Sequence, residues 1–205
     1  TSQGAFVLAL GFGSEPESAA RNAIASLHGG FATARKDYIA GWQGWIGTHT
    51  PPRKQPVSPG DLSDISLAVL RTHESKTVPG GLIASLAIPW GFSKGDNDLG
   101  GYHLVWPRDM AETAGGLLAA GAHEDVRRVL LYLQATQQED GHWPQNMWLD
   151  GSPYWNGIQM DETALPILLV DLARREKALS PADVTRLWPM VRRAAGCLVR
   201  SGPVS

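Results

Sequence analysis

One cysteine, Cys197, stands among 205 residues. That excludes an internal disulfide and with it the small disulfide-stapled folds. Cys197 lies in an apolar helical stretch and reads as a small buried residue. No apolar run reaches the roughly 20 residues needed to span a bilayer. The run Phe6–Leu10 is too short even for the core of a signal peptide. Charge of either sign is not in excess: 18 Lys and Arg face 20 Asp and Glu, for a formal net charge of −2. Neither nucleic acid nor a membrane is therefore indicated as a partner. No repeat of fixed period is visible, which argues against a solenoid. A starting methionine is also missing, and the last residues are Gly202-Pro203-Val204-Ser205. The chain is accordingly expected to be an interior piece of a longer protein.

What the chain has in plenty is tryptophan. There are eight, and five of them fall between Trp90 and Trp155, a density that points to a site with flat aromatic walls. Hydrophobic residues make up 43%, ordinary for a globular chain able to bury a core. Ala5–Leu10, bounded by glycines, reads as a short strand. Ser14 and Glu17 have capping-box spacing, Ser-x-x-Glu. A helix is expected to follow through Ala20, Ala23, Ile24, Leu27 and Phe31, running on toward Trp42 and Trp45, with Gly29-Gly30 a weak point. Thr48–Pro59 reads as a loop, and Ser58-Pro59 as the start of a second helix ending near Ser75. Leu82–Pro89 reads as extended, paired with another segment. The polar loop 93–101 holds Asp96-Asn97-Asp98, a weak candidate for calcium.

Further helices are expected from Pro107 to about Ala120, from His123 to Gln138, from Asp161 to Ala173, and from Ser180 to Gly202. Pro166 should kink the third of these and Pro189 should break the last in two. Glu124 and Arg128 have the spacing of a surface i,i+4 pair. The segment 142–158 reads as a long loop dense in Trp, Asn, Asp and Tyr, and loops of that length tend to carry function. The sum is six helical segments without a sustained heptad. This makes an all-α fold, with a helix bundle, a solenoid or an α/α barrel open.

The stretch on which the site reading rests is Gly100–Asp109. Pro107 suits the first position of a helix, where its missing N–H costs nothing. Asp109 then sits in the first turn, where the helix dipole favours an anion. Arg108 offers a planar fork of donors. Tyr102 and Trp106 flank the pair. A polar clamp between aromatic walls suits a sugar, whose hydroxyls take charge-assisted hydrogen bonds while its C–H face lies on a ring. A plain helix start with a local ion pair is the other reading of these residues.

Tyr102-His103-Leu104-Val105-Trp106-Pro107-Arg108-Asp109, preceded by Ile88-Pro89-Trp90-Gly91 and Gly95-Asp96, resembles the bacterial glucoamylase and glucodextranase family, glycoside hydrolase family 15. The resemblance continues through Trp143-Pro144-Gln145-Asn146, Asp150-Gly151, Tyr154-Trp155, Gln159-Met160-Asp161-Glu162 and Gly202-Pro203-Val204. It implies an (α/α)6 barrel, of which residues 14–205 would supply the N-terminal half. Residues 1–13 would be the end of a preceding β domain or a linker. It implies an inverting exo-α-glucosidase that releases β-glucose from the non-reducing ends of α-glucans or of malto- and isomalto-oligosaccharides. Tyr102, Trp106, Arg108, Asp109 and Trp155 would bind substrate. Asp161 and Glu162 would support them structurally, from behind the site. No cofactor is implied. A secreted or periplasmic enzyme is expected, with the cytoplasm as the alternative.

Inversion needs two carboxyl groups, one to protonate the leaving oxygen and one to activate water, roughly 6.5–9.5 Å apart. In the resembled family the acid follows the Gly-Pro-Val segment in a Trp-Glu-Glu motif, and the base belongs to the second half of the barrel. Both are expected beyond Ser205, so these residues alone should be inactive and should need the missing half. Were the resemblance wrong, Glu162 would be the first general-acid candidate. The competing functions are a non-catalytic carbohydrate-binding protein on the same scaffold, a trehalase of the same family, and a helical interaction scaffold whose tryptophans are merely core.

Overall fold

A computed structural model describes residue 4 and residues 6–49, 62–86, 102–155 and 157–202. Seven helices occur among them: α1 (Pro16–Gly29), α2 (Phe31–Thr48), α3 (Ser63–Thr72), α4 (Pro107–Ala119), α5 (His123–Thr136), α6 (Met160–Arg175) and α7 (Pro181–Ser201). Two short strands, β1 (Asn146–Met147) and β2 (Pro153–Trp155), lie between α5 and α6. The chain divides into two compact units, Thr1–Thr48 and His49–Ser205.

In the first unit α1 packs on α2, and neither helix has a buried residue. The expected single first helix is two, parted at Gly30, whose φ of 80° lies in the region that favours glycine. The N-cap is Glu15, not Ser14, because Pro16 takes the first helical position. The Glu15 N–H donates to Ser18 Oγ at 3.2 Å. The expected strand at 5–10 is not seen at residues 6–10, the described part of the run. Among the described residues of this run none joins a strand or a bridge, since a strand exists only by pairing with an edge. Trp42 stands edge-on to Tyr38 and to Trp45, with ring centroids 6.4 and 6.0 Å apart.

The second unit holds the core. α4 packs on α3, α5 and α6, while α6 and α5 both pack on α7. Met110, Ala114 and Leu117 of α4, Val126, Leu130 and Leu133 of α5, and Leu187 and Met190 of α7 are buried at apolar positions three and four apart. Trp143 is fully buried and donates its indole N–H to the Leu133 carbonyl at 3.1 Å. Two loop glycines press on helix backbones. A Cβ at Gly80 would meet the Arg128 carbonyl oxygen at 2.1 Å, and one at Gly141 the Arg193 carbonyl oxygen at 2.3 Å; both residues have positive φ.

Four local expectations change. Arg128 does not pair with Glu124. It turns inward to Glu74 at 2.8 Å and to the buried Asp125 at 2.8 Å, which Arg71 also reaches at 2.5 Å. Glu124 takes Arg127 instead. A buried carboxylate needs such partners more than an exposed one does. Pro189 does not break α7, which runs unbroken to Ser201. Gln134 of α5 and Gln137, the residue that caps it, donate to the Arg186 and Met190 carbonyls at 2.7 and 3.0 Å, on either side of Pro189. The second expected helix is α3, which starts at Ser63; Ser58-Pro59 lie outside the described residues. Pro166, likewise, sits inside a continuous α6.

Candidate sugar-binding site

The site begins where α4 and α6 start. α4 opens with Pro107 at its first position, so the first backbone donor left without an intrahelical partner is the Arg108 N–H. Trp106, the N-cap residue, makes no side-chain capping bond. The cap comes from another helix: Glu162 Oε2 accepts the Arg108 N–H at 2.6 Å. Glu162 lies in the first turn of α6 and is fully buried.

The Arg108 guanidinium is held on one side. Its Nη1 donates to Asp161 Oδ2 at 2.9 Å and to Gln159 Oε1 at 3.1 Å, and stands 3.2 Å from Glu162 Oε1. Among the described residues Nη2 has only a long contact, 3.4 Å to Asp109 Oδ2. The Arg108 side chain is 32% exposed and that of Asp109 is 42% exposed. The fork thus presents a loosely engaged edge next to an accessible carboxylate. These are donors and acceptors of the kind that bind adjacent hydroxyls.

The charges shape one another. The hydrogen bond from Arg108 holds Asp161 below the usual carboxylate range, and the same bond raises Arg108. Burial pushes Glu162 up to about 7, against the Arg108 N–H and guanidinium, which favour its ionised form. A fully buried carboxyl committed to a neighbouring backbone is poorly placed to reach a leaving group.

Of the aromatic residues, Tyr102 and Trp106 belong to the segment that leads into α4, and Trp155 to β2. The Tyr102 and Trp106 rings lie 5.8 Å apart at 39°. Val105 and Met147 exchange both backbone hydrogen bonds, at 2.9 and 3.0 Å. β1 then pairs antiparallel with β2, setting Asn146 opposite Trp155. A short ladder therefore runs from the residue before Trp106 to the hairpin that carries Trp155. Tyr102 is 44% and Trp155 is 59% exposed. No ring contact joins Trp155 to the other two among the described residues. Across the other edge, the Ala84 and Ser85 N–H groups donate to the Leu104 and Tyr102 carbonyls, each at 2.9 Å, so part of the expected extended segment 82–89 does pair here. The segment 142–158, read as a loop, contains the β1–β2 hairpin. Trp148 packs edge-on against Tyr154, 5.4 Å away.

Two residues join the site without a role assigned from sequence. Gln159 grips Arg108, and Asn146 Oδ1 accepts the Trp155 N–H at 3.1 Å. Both stand in the segments Trp143–Asn146 and Gln159–Glu162, so their presence in motifs was the available signal. The calcium candidates Asp96 and Asp98 lie outside the described residues. Among the described residues no group of three His, Cys, Asp or Glu side chains could hold a metal ion, and no helix is long and apolar enough to cross a membrane.

Residues 65–195 match the model for glycosyl hydrolases family 15, and residues 1–47 match the model for domain N of glucodextranase. The chain belongs to glycosyl hydrolases family 15. It is 38% identical over 170 residues to a glucoamylase of Clostridium sp. (strain G0005), a match covering 83% of this chain and 24% of that protein. It is similar to the crystal structure of a bacterial glucoamylase complexed with acarbose, with a TM-score of 0.77 and 33% identity over 94% of this chain and 27% of the other. The fold is thus all-α and part of an (α/α)6 barrel. The chain spans about a quarter of the length of the relatives it matches.

Proposed function

We propose that this protein is an inverting exo-α-glucosidase acting on α-glucans or malto- and isomalto-oligosaccharides, releasing β-glucose from non-reducing ends. The observation that carries this reading is the loosely engaged edge of Arg108 beside the accessible Asp109, with the exposed Tyr102 in the segment before α4 and the exposed Trp155 on the hairpin bonded to that segment. A terminal glucose presents adjacent hydroxyls to such a pair and a C–H face to such rings. Arg108 and Asp109 would hold the hydroxyls; Tyr102, Trp106 and Trp155 would wall the subsite. Asp161 and Glu162 support Arg108 from behind. The acid and base that inversion requires are assigned to neither of them, but to residues outside these 205, within the rest of the barrel that these residues need for activity.

The match to domain N of glucodextranase favours α-1,6-linked glucan as a second substrate reading beside the α-1,4 linkage. An enzyme that meets polysaccharide would be secreted or periplasmic, with the cytoplasm as the alternative.

Asp109→Ala tests the assignment. Loss of a charge-assisted hydrogen bond to a sugar hydroxyl costs about 1.5–3 kcal/mol, so kcat/KM on maltotriose and isomaltotriose should fall roughly 10- to 150-fold in the full gene product. An unchanged kcat/KM in a folded Asp109→Ala variant would remove Asp109 from the site.

A further inference from the structure

Glu162 is a buried acid that the proposed reaction does not use. Its side chain is fully buried, yet it sits 54 positions along the chain from the residue it bonds. One oxygen caps α4 by accepting the Arg108 N–H at 2.6 Å. The other faces Arg108 Nη1 at 3.2 Å, an ion-pair contact without hydrogen-bond geometry. A single carboxylate thereby fixes both the backbone and the head of one arginine. Each of the other groups on the guanidinium, Gln159, Asp161 and Asp109, touches the head alone. Asp161 and Asp109 are also well exposed, with 47% and 42% of the side chain open to solvent. Exposed ion pairs hold a geometry weakly, while a dehydrated one holds it strongly.

We infer that Glu162 is the positioning residue of the sugar clamp, and that its ionised form keeps the free edge of Arg108 turned toward the bound glucose. The inference rests on the reading of Arg108 as a sugar-binding residue. When Glu162 takes up a proton, the charge facing Nη1 is lost. The guanidinium then follows its exposed partners Asp161 and Asp109, and the edge offered to the sugar is no longer fixed.

The charged groups that act most strongly on Glu162 are Arg108 and Asp109 from α4 and Asp161 from α6 itself; none of these comes from α5 or α7, the other helices packed on α6. Arg108 does not titrate in the working range, and Asp161 is held low by Arg108. With burial raising Glu162 to about 7, sugar affinity should strengthen as pH rises through neutrality. A purely structural cap would give no such dependence, because a protonated carboxyl still has an oxygen to accept the Arg108 N–H.

Acarbose titration by calorimetry from pH 6 to 8.5, on the full gene product and on Glu162→Gln, tests this. Gln keeps the shape and an acceptor for the N–H but lacks the charge. The expected result is acarbose affinity rising severalfold across this range in the parent. In Glu162→Gln the profile should be flat, and affinity at pH 8 about tenfold weaker. A folded Glu162→Gln that binds acarbose like the parent at every pH overturns the inference while leaving the sugar site standing. A parent that fails to bind acarbose at any pH overturns both. Should Glu162→Gln not fold, Arg108→Lys decides. Lysine keeps a charge but not the fork, so the pH-dependent part of the affinity should vanish; a profile of unchanged amplitude contradicts the inference.

Discussion

Replacing Arg108 by Ala should weaken acarbose binding by the full gene product at least 100-fold. Arg108 is held through Nη1 by Asp161, Gln159 and Glu162, while among the described residues Nη2 keeps only its 3.4 Å contact with Asp109. A ligand is therefore offered a fork that is already oriented, and little side-chain entropy remains to be lost on binding. Two charge-assisted hydrogen bonds at about 1.5–3 kcal/mol each come to at least ~3 kcal/mol, which is the 100-fold factor. Removing the side chain also leaves Asp161 without its cation. The hydrogen bond that holds Asp161 low is then gone, so Asp161 should titrate closer to an ordinary aspartate. Calorimetry at pH 8 measures the first effect. An affinity within threefold of the parent, in a variant with an unchanged circular dichroism spectrum, would mean that this fork does not meet the sugar.

The second large effect is on stability. Trp143→Ala should cost about 3–5 kcal/mol, the range for emptying a buried aromatic site. Trp143 is fully buried and its indole N–H bonds the Leu133 carbonyl at 3.1 Å. Ala would leave a cavity next to α5 and remove that bond. The site cannot collapse easily, because Gly141 two residues earlier already lies against the backbone of α7 at Arg193. Trp148→Ala is the internal control. Its ring is 36% exposed and rests on Tyr154, so the loss should be about 1 kcal/mol or less beyond the burial it gives up. Chemical denaturation of both variants measures the difference, and equal losses for the two would contradict this account of the core.

Where the chain carries its own local signals, sequence and structure agree. Pro107 starts α4, and Ser180-Pro181-Ala182-Asp183 starts α7, with Ser180 accepting the Asp183 N–H. Both are first-turn patterns set by backbone chemistry within four residues. The disagreements arise where a distant partner decides. Ala5–Leu10 has strand composition, but composition cannot supply an edge to pair with. Pro189 has the chemistry of a helix breaker, but the amides of Gln134 in α5 and of Gln137 just past its end bond carbonyls on either side of it. Arg128 has the spacing to pair with Glu124, yet Asp125 and Glu74 draw it inward.

The candidate site divides in the same way. Arg108 and Asp109 are adjacent in the chain, so their proximity is readable from the residues. That Asp161 and Glu162 meet Arg108 is a property of how α6 packs on α4, and no spacing within either helix reveals it. The family resemblance put all four residues on one list; which carboxylate is buried, and which grips the backbone of α4, belongs to the packing alone.

The most direct measurement is of the first sugar released. The full gene product is mixed with maltotetraose in one run and isomaltotetraose in another, and proton NMR spectra are collected before mutarotation equilibrates the anomers. Glucose appearing first as the β-anomer, together with the trisaccharide, is the expected result from at least one of the two substrates. Glucose appearing first as the α-anomer, early disaccharide from internal cleavage, or no hydrolysis of either substrate would contradict inverting, exo-acting hydrolysis.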